Sequence, residues 1–348
     1  MLMPEGKVLG GHDGLRVYRT DTGVLKSLNH DTEKAVEWHD MNMKGLHNEA
    51  RFLLMFKDSG YTPQLLEEGD DYILQEDIGD RNVPTSLQEV MRHCCRMLNL
   101  FREKRARHID MTWVNVIVRD NHPWAVDWQQ SRMYDEVANP QERNETDTAV
   151  VWRWMIEIKD NRGVKDEARI IRRWYNVLGA LGALRSRLSP LGGKTFLDLG
   201  CFQGDHVAMA RCEGMEAEGV DYGGFRTGED SIEIAESLWK GMGCKFTKDD
   251  IFNLPDFRRD VVTMFSTWAY LVQKDKERAI VVLKRIIAES GVFFFETQLY
   301  GDGPGPEFLK TDNDVEKLLG DCGATKVKAL VTIPVYSRPA SRTVWEAK

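Results

Sequence analysis

The sequence has few cysteines and lacks the spacings that bind zinc. Its 348 residues include six cysteines and eight histidines, and no two cysteines form a C-x-x-C pair, which argues against the common structural zinc sites. No run approaches the roughly 18 apolar residues of a membrane span, and the first residues, MLMPEGKVLGGHDG, contain no apolar stretch of signal-peptide length. The formal net charge of −8 argues against an extended nucleic-acid surface. We therefore expect a reduced, cytoplasmic protein without a membrane span.

What the sequence does contain is enough apolar residues for two domains. Hydrophobic residues make up 42% of the 348 residues, which suffices for two hydrophobic cores. In the first half, short strands are predicted at residues 7–9, 15–19, 24–28, 64–67 and 72–75, and helices at 33–57 and 86–107. This mixture of short strands, a hairpin signal and helices predicts a compact α+β domain, which we place at residues 1–160.

The second half has a different pattern, in which strands and helices alternate. Strands are predicted near residues 195–199, 216–220, 261–265, 291–296, 325–332 and 342–346. Such alternation is typical of a mostly parallel sheet with helices on both faces. We therefore expect an α/β, doubly wound, Rossmann-like domain at residues 161–348. The helix predicted at 165–188 is assigned to this domain.

The segment from His108 to Asn115, with the strand after it, carries a pattern suited to phosphoryl transfer. This chemistry needs metal ligands, a residue that orients the attacking hydroxyl, and a cation on the nucleotide phosphates. Asp110 and Asn115 stand five residues apart, as in the H-x-D-x-x-x-x-N loop of kinases, and Asp127 follows a short apolar strand. These spacings predict that Asp110 orients the hydroxyl and that Asn115 and Asp127 bind Mg²⁺.

Residues upstream of this loop fit the nucleotide-binding parts of the same kind of site. Lys26, on the third predicted strand, fits the cation that binds the phosphates. Glu49, on the following helix, fits the ion-pair partner of that lysine, and Gly11 lies in a glycine-containing turn that could cover the phosphates. The segment with Glu76 and Ile78 resembles a hinge that binds adenine through backbone groups.

Residues 5–135 therefore resemble the protein-kinase-like superfamily. The arginine of the family's H-R-D motif is Ile109 here, the phenylalanine of D-F-G is Trp128, and no A-P-E segment follows. The resemblance thus implies a kinase that uses ATP and Mg²⁺ and acts on a small molecule or a glycan rather than on a protein. Lys34 is an alternative to Lys26, and a pseudokinase is an alternative to an active kinase.

A second pattern, which begins at Phe196, is suited to binding S-adenosylmethionine (SAM). An apolar strand is followed by glycines that let the backbone approach a cofactor closely, and an acidic residue at the end of the next strand can bind ribose hydroxyls. A later acidic residue with an apolar neighbour is expected at the adenine. The predicted cofactor site consists of Asp198, Gly200, Cys201, Phe202, Gly204, Asp221, Tyr222, Asp249, Asp250, Ile251 and Ser266.

Residues 165–348 resemble the class I SAM-dependent methyltransferases. The middle glycine of G-x-G-x-G is Phe202 here, which disfavours the nearest alternative, an NAD-binding Rossmann domain. No catalytic base is evident. Methyl transfer from a sulfonium is an in-line displacement, so positioning can supply much of the rate. A phosphate monoester is already anionic at neutral pH and would need no base.

The two patterns together resemble the bifunctional kinase/methyltransferases that terminate polymannose O-antigen chains with a methyl phosphate. The segment Asp198–Gly204 matches that family's D-L-G-C-x-Q-G form, although the order of the domains differs. The resemblance implies an enzyme that phosphorylates a hydroxyl and then can methylate the new phosphate. The alternative is a SAM-dependent methyltransferase of another acceptor, with a regulatory pseudokinase or nucleotide-binding domain.

Overall fold

The computed structural model describes residues 6–12, 14–29, 39–112, 114–136, 146–160, 168–184, 191–224, 229–335 and 340–348. The chain divides into two compact units, Met1–Arg143 and Asn144–Lys348. In the described ranges, every helix is too short or too polar to cross a bilayer.

The first unit contains a five-stranded antiparallel sheet. Its strands are β1 (Lys7–His12), β2 (Leu15–Arg19), β3 (Val24–Leu28), β4 (Leu65–Glu68) and β5 (Tyr72–Gln75). They lie in the order β1-β2-β3-β5-β4, and all neighbouring strands run antiparallel. All five were predicted within a few residues of their bounds.

Two α-helices, two short strand pairs and two 3-10 helices (Trp128–Gln130 and Tyr134–Glu136) complete the described part of the first unit. The α-helices are α1 (His39–Met55) and α2 (Leu87–Glu103), and the further strands are β6 (Ala106–Arg107), β7 (Val116–Arg119), β8 (His122–Ala125) and β9 (Arg132–Met133). Strand β6 pairs with β9, and β7 pairs with β8. Ser86 begins α2 as an N-cap, because its hydroxyl accepts the Glu89 N–H. The first six residues of the helix predicted at 33–57 lie outside the described residues.

The second unit contains a seven-stranded sheet. Its strands are β10 (Thr195–Leu199), β11 (Glu216–Asp221), β12 (Lys245–Lys248), β13 (Val261–Phe265), β14 (Val292–Glu296), β15 (Val327–Val335) and β16 (Ala340–Ala347). The order is β12-β11-β10-β13-β14-β16-β15. The first five are parallel, and β16 runs antiparallel to both of its neighbours. Strands β13 and β14 are buried along their whole length, as expected for strands covered on both faces.

Helices connect most of these strands and confirm the prediction of a doubly wound, Rossmann-like fold. They are α3 (Asp147–Asp160), α4 (Ala168–Ala180), α5 (Asp205–Cys212), α6 (Ser231–Leu238), α7 (Trp268–Lys274), α8 (Lys276–Glu289) and α9 (Asp312–Asp321). The core between sheet and helices includes Phe257, Trp268, Leu283, Phe293 and Phe295.

The division between the units comes earlier in the chain than the sequence suggested. The prediction placed it after residue 160, but the second unit begins at Asn144 and includes α3. The reason is a buried contact: Glu213, at the end of α5, accepts hydrogen bonds from Thr148 at 3.0 Å and from Trp152 at 3.4 Å. The helix predicted at 165–188 is described as α4 and belongs to the second unit, as expected, and residues 165–167 and 185–188 lie outside the described residues.

Candidate functional sites

In the second unit, the strand order reverses beside β10. The chain runs from β10 to β11 and β12 on one side, and then crosses to β13 and β14 on the other. In doubly wound sheets, ligands bind at such a switch point, in the crevice beyond the carboxyl ends of the strands. The segments after β10, β11 and β13 therefore line the candidate cofactor site.

The turn after β10 is shaped by its glycines. Gly200 and Gly204 have positive φ angles of 76° and 77°. A Cβ on Gly200 would lie 2.1 Å from Thr267 Oγ1, and one on Gly204 would lie 2.4 Å from the ring of Phe246, so neither position accepts a side chain. Phe202, at the place of the usual middle glycine, also has a positive φ of 51° and is 39% exposed. The turn therefore packs closely on its neighbours while Phe202 reaches the surface.

Asp221, at the end of β11, ties this turn to the next loop. Its Oδ2 accepts the Phe202 N–H at 3.0 Å, and its Oδ1 accepts the Gly223 N–H and the Ser231 hydroxyl, each at 3.0 Å. An ionised carboxylate offers about four acceptor positions, so Asp221 can accept a further hydrogen bond from a ribose hydroxyl. Tyr222, the next residue, is 68% exposed.

Asp249, Asp250 and Ile251 follow β12. The Asp249 N–H donates to the Asp221 carbonyl at 3.0 Å, which brings this segment next to the Asp221 loop. Asp250 lies 2.7 Å from the ammonium of Lys274. Burial opposes ionisation of Asp250, but the Lys274 hydrogen bond lowers its pKa below the ordinary value. Ile251 is buried beside it and can offer apolar surface to an adenine ring.

Asp198 and Cys201 are buried beneath the glycine turn. Asp198 Oδ1 accepts the Thr263 hydroxyl at 2.7 Å, and its Oδ2 lies 3.8 Å from His206 Nδ1. Burial raises the pKa of Asp198 to about 7 and lowers that of His206 to about 3. Burial also raises the pKa of the Cys201 thiol, which makes it unsuited to be a nucleophile. These two side chains support the turn, so their contact with a cofactor would come from the backbone.

Ser266, directly after β13, lies at the centre of a cluster that the sequence analysis missed. Its hydroxyl accepts hydrogen bonds from three guanidinium groups: Arg169 Nη2 at 3.2 Å, Arg173 Nη2 at 2.9 Å and Arg342 Nη1 at 2.8 Å. Ser266 has a positive φ of 59°, a strained conformation that is common at functional sites. Arg169 and Arg173 are four residues apart on α4, and this spacing was the only sequence signal for the cluster.

Two buried carboxylates balance part of this positive charge. Glu296 lies 2.7 Å from Arg169 and accepts two hydrogen bonds from Arg173, at 2.6 and 2.7 Å. Asp302 pairs with Arg342 through both of its oxygens. Burial alone would raise the pKa of Glu296, but Arg173 and Arg169 lower it. Burial, reinforced by Arg173, lowers the pKa of Arg169 to about 10.

In the first unit, Lys26 and Glu49 form a buried ion pair between β3 and α1. Lys26 Nζ lies 2.7 and 2.9 Å from the two carboxylate oxygens of Glu49. Asp127 Oδ1 lies 3.6 Å from the same nitrogen. Burial alone would lower the pKa of Lys26, but Glu49 and Asp127 raise it. Three residues that the sequence placed in separate motifs are thus brought together, while the alternative cation, Lys34, lies outside the described residues.

Asp110 and Asn115 are joined within the loop between β6 and β7. Asn115 Nδ2 donates to the Asp110 carbonyl and to Asp110 Oδ2, each at 3.0 Å. The Val126 N–H donates to the Asn115 carbonyl at 2.9 Å, because β7 and β8 pair antiparallel and bring their ends together. Asp127 is therefore the residue directly after Val126, which is hydrogen-bonded to Asn115.

The predicted magnesium ligands, Asn115 and Asp127, lie in neighbouring segments of the backbone. In the described part of the chain, no three His, Cys, Asp or Glu side chains are grouped as a metal site. Magnesium, however, is usually bound by one or two protein oxygens together with substrate phosphates and water. The Asp127 side chain is 45% exposed and can supply such an oxygen.

The segment after Asp127 is anchored to α1, the helix that carries Glu49. The Trp128 ring is fully buried and contacts four aromatic side chains: Phe52, Phe56, Phe101 and His108. Asn48 on α1 donates hydrogen bonds to three backbone carbonyls that follow Asp127, at 2.9 to 3.3 Å. This packing fixes Asp127 relative to the Lys26–Glu49 pair.

The remaining predicted nucleotide-binding residues lie on the sheet and beyond its end. Gly11 lies within β1, paired with Arg16 of β2, and not in the turn that the sequence predicted. Its φ is 135°, and a Cβ there would lie 2.3 Å from the Leu15 carbonyl oxygen. The Glu76 N–H donates to the Gln64 carbonyl, and the Ile78 carbonyl accepts from Arg119, both at 2.8 Å. If this segment binds adenine, the Glu76 carbonyl and the Ile78 N–H are the groups available to do so.

Comparisons with known proteins find similarity only among solved structures. No family model and no curated protein matches the chain. The bifunctional kinase-methyltransferase WbdD is 17% identical with a TM-score of 0.39, over 52% of this chain and 38% of that chain. EvdMO1 is 19% identical with a TM-score of 0.38, over 52% of this chain and 41% of that chain. Magnesium protoporphyrin IX methyltransferase (ChlM) from Synechocystis, with bound SAM, is 17% identical with a TM-score of 0.38, over 57% of this chain and 95% of that chain. Likenesses this weak carry no argument about activity, so the function must follow from the two sites.

Proposed function

We propose that this chain is a bifunctional transferase. The first unit transfers phosphate from ATP to a hydroxyl of a small molecule or glycan, and the second unit transfers methyl from SAM to the phosphate so formed. The observation that supports the proposal is that one chain contains two groups of side chains suited to these two chemistries. One set is the Lys26–Glu49 pair with Asp127, and the other is the glycine turn held by Asp221.

In the first unit, the proposal gives each predicted residue a role in phosphoryl transfer. ATP supplies the phosphoryl group, and Mg²⁺ offsets its charge. Asn115 and Asp127 hold the metal, and Lys26, oriented by Glu49, binds phosphate oxygens. Asp110 accepts the proton of the attacking hydroxyl or orients it, and the Asn115 amide fixes the Asp110 carboxylate for this task.

In the second unit, the backbone of the turn at Gly200 and Gly204 approaches the cofactor closely at the end of β10. Asp221 accepts the ribose hydroxyls, and Asp250 and Ile251 receive the adenine. SAM supplies a methyl group on a sulfonium leaving group. The acceptor phosphate is anionic at neutral pH, so the protein has only to align it with the methyl carbon and exclude water.

A regulatory domain that binds nucleotide without turning it over is the competing function for the first unit. The Lys26–Glu49 ion pair, the exposed Asp127 carboxylate and the Asn115–Asp110 contact favour an active kinase. A fold kept only for binding would not need a residue that orients a hydroxyl.

The test is to incubate the purified chain with ATP, Mg²⁺, SAM and a panel of sugars and short glycans, and to analyse the products by mass spectrometry. We expect a phosphorylated product and its methyl ester. Asp110→Ala should stop both modifications, and a phosphorylated acceptor should restore methylation. Asp40→Ala, at a side chain that is 95% exposed, is the matched control and should retain both. Methylation of the unmodified acceptor at the wild-type rate without ATP would contradict the proposal.

A further inference from the structure

The cluster at the end of β13 brings three arginine side chains together. We use the name Ser266 cluster for six residues: Arg169, Arg173, Ser266, Glu296, Asp302 and Arg342. Three guanidinium groups converge on one oxygen, the Ser266 hydroxyl, within 3.2 Å. A hydroxyl has two lone pairs and cannot satisfy three donors equally. The hydroxyl itself donates to Glu296 Oε1 at 2.8 Å, so an anion oxygen beside it would supply the acceptor capacity that the three guanidinium groups lack.

The charges of the Ser266 cluster support the same conclusion. It contains three cations and two carboxylates, and the side chains of Arg173 and Arg342 are only 9% and 7% exposed. Each arginine has a carboxylate partner, but three guanidinium groups share two carboxylates, so a bound anion would offset the remaining positive charge. Asp198 also interacts with Arg173, but burial raises the pKa of Asp198 to about 7, so it offsets the charge only in part at neutral pH.

One arginine keeps a donor that the described residues do not use. Arg169 Nε is buried and has no hydrogen-bond partner in the described part of the chain. Its side chain is 16% exposed, against 9% for Arg173. Arg169 therefore has both an unused donor and a partial opening to solvent, the two properties that a ligand-binding side chain requires.

The Ser266 cluster also lies beside the candidate cofactor site. Ser266 and Thr267 follow β13, the strand across the switch point from β11. Thr267 packs so closely on the glycine turn that a Cβ on Gly200 would lie 2.1 Å from its hydroxyl. A group bound at Ser266 is thus next to the turn that would hold the methyl donor.

We propose that Arg169, Arg173 and Arg342 determine the specificity of the methyl-transfer site by binding the phosphate group of the acceptor. This inference rests on the proposed function, and it adds the residues that select the acceptor. Arginine suits this role because its guanidinium donates several N–H bonds to phosphate oxygens. Arg173 and Arg342 each use two N–H groups on a carboxylate, so Arg169, with its unused Nε–H, would make the main contact and the other two would add positive charge.

The test uses the full chain and inorganic phosphate, titrated by ³¹P NMR. Arg169→Gln is the variant of choice, because Glu296 keeps two hydrogen bonds from Arg173 and is not left unpaired. We expect phosphate affinity to fall about tenfold, and Arg169→Lys to lose less because it keeps the charge. Arg258→Gln, at an exposed arginine outside the Ser266 cluster, is the matched control. Phosphate that binds elsewhere in the chain should add the same NMR signal change to the Arg169→Gln and Arg258→Gln titrations.

SAM affinity, measured by calorimetry on the same samples, separates two kinds of failure. Equal phosphate affinity in Arg169→Gln and Arg258→Gln, with SAM still bound, would show that the Ser266 cluster is only a structural network. That result would overturn this inference and leave the proposed function standing. A wild-type chain that does not bind SAM would contradict the proposed function, while the phosphate titration would still report on the cluster.

Discussion

Replacing Glu49 with glutamine should distinguish an active kinase from an inactive nucleotide-binding fold. Glu49 is fully buried, and both of its oxygens bind Lys26. Glutamine keeps the size of the side chain and one oxygen but removes the charge, which leaves Lys26 with Asp127 at 3.6 Å as its charged partner. Removing one partner of a buried pair costs about 3–5 kcal/mol. Because the amide oxygen can still accept one hydrogen bond, we expect the first unit to lose about 2 kcal/mol of unfolding free energy.

The same substitution should affect catalysis more than stability. In the proposed function, Lys26 binds the phosphates of ATP and Glu49 holds its ammonium in place for this. A misplacement of about 1 Å can reduce the rate about a hundredfold, so we expect ATP turnover to fall by about that factor or more. SAM affinity should not change, because the groups that would bind SAM belong to the other compact unit.

Stability should be measured by hydrogen exchange of α1, since one melting midpoint would average two units. Glu136→Gln is the matched control in the same unit. Its partner is Arg51, and their side chains are 42% and 46% exposed, so this pair should contribute at most about 1 kcal/mol. If Glu49→Gln destabilises α1 but turns over ATP at the wild-type rate, the ion pair is only structural and the reasoning is refuted. A wild-type chain without turnover in Mg²⁺ or Mn²⁺ would favour the pseudokinase.

Three other substitutions test the remaining assignments. Asp127→Asn should abolish ATP turnover and leave methylation of a phosphorylated acceptor intact, which mass spectrometry of the products can check. Asp221→Ala removes the acceptor of three hydrogen bonds, and calorimetry should show SAM binding weakened about tenfold or more; an unchanged affinity would exclude the assigned site. Burial raises the pKa of Asp198 from 3.8 to about 7. The protonated side chain therefore stabilises the folded state fully below pH 3.8, and this stabilisation is lost as the pH rises through about 7. Asp198→Asn, which keeps an acceptor for Thr263, should therefore be more stable than wild type at pH 8 in denaturant unfolding, and a less stable variant would contradict this.

The sequence alone determined the type and order of most elements, because their apolar patterns are local. Strands β13 and β14 are short apolar runs between turn residues, and such runs predict buried parallel strands. The edge strand β12 was not predicted, because its four residues, KFTK, are only partly buried and give a weak signal. The motif spacings also located Asp110, Asn115 and Asp127 on the chain, since the loop and hairpin that join them are short.

Only the tertiary structure decided which distant side chains meet. Lys26 and Glu49 are 23 residues apart on different elements, and their pairing requires α1 to pack against β3. The Ser266 cluster draws Arg169 and Arg173 from α4 and Arg342 from β16. The periodicity of apolar residues predicts which face of a helix or strand is buried, but it does not predict which other element packs against that face. The order of the strands in the sheet determines which elements become neighbours, and it places these arginines at the end of β13.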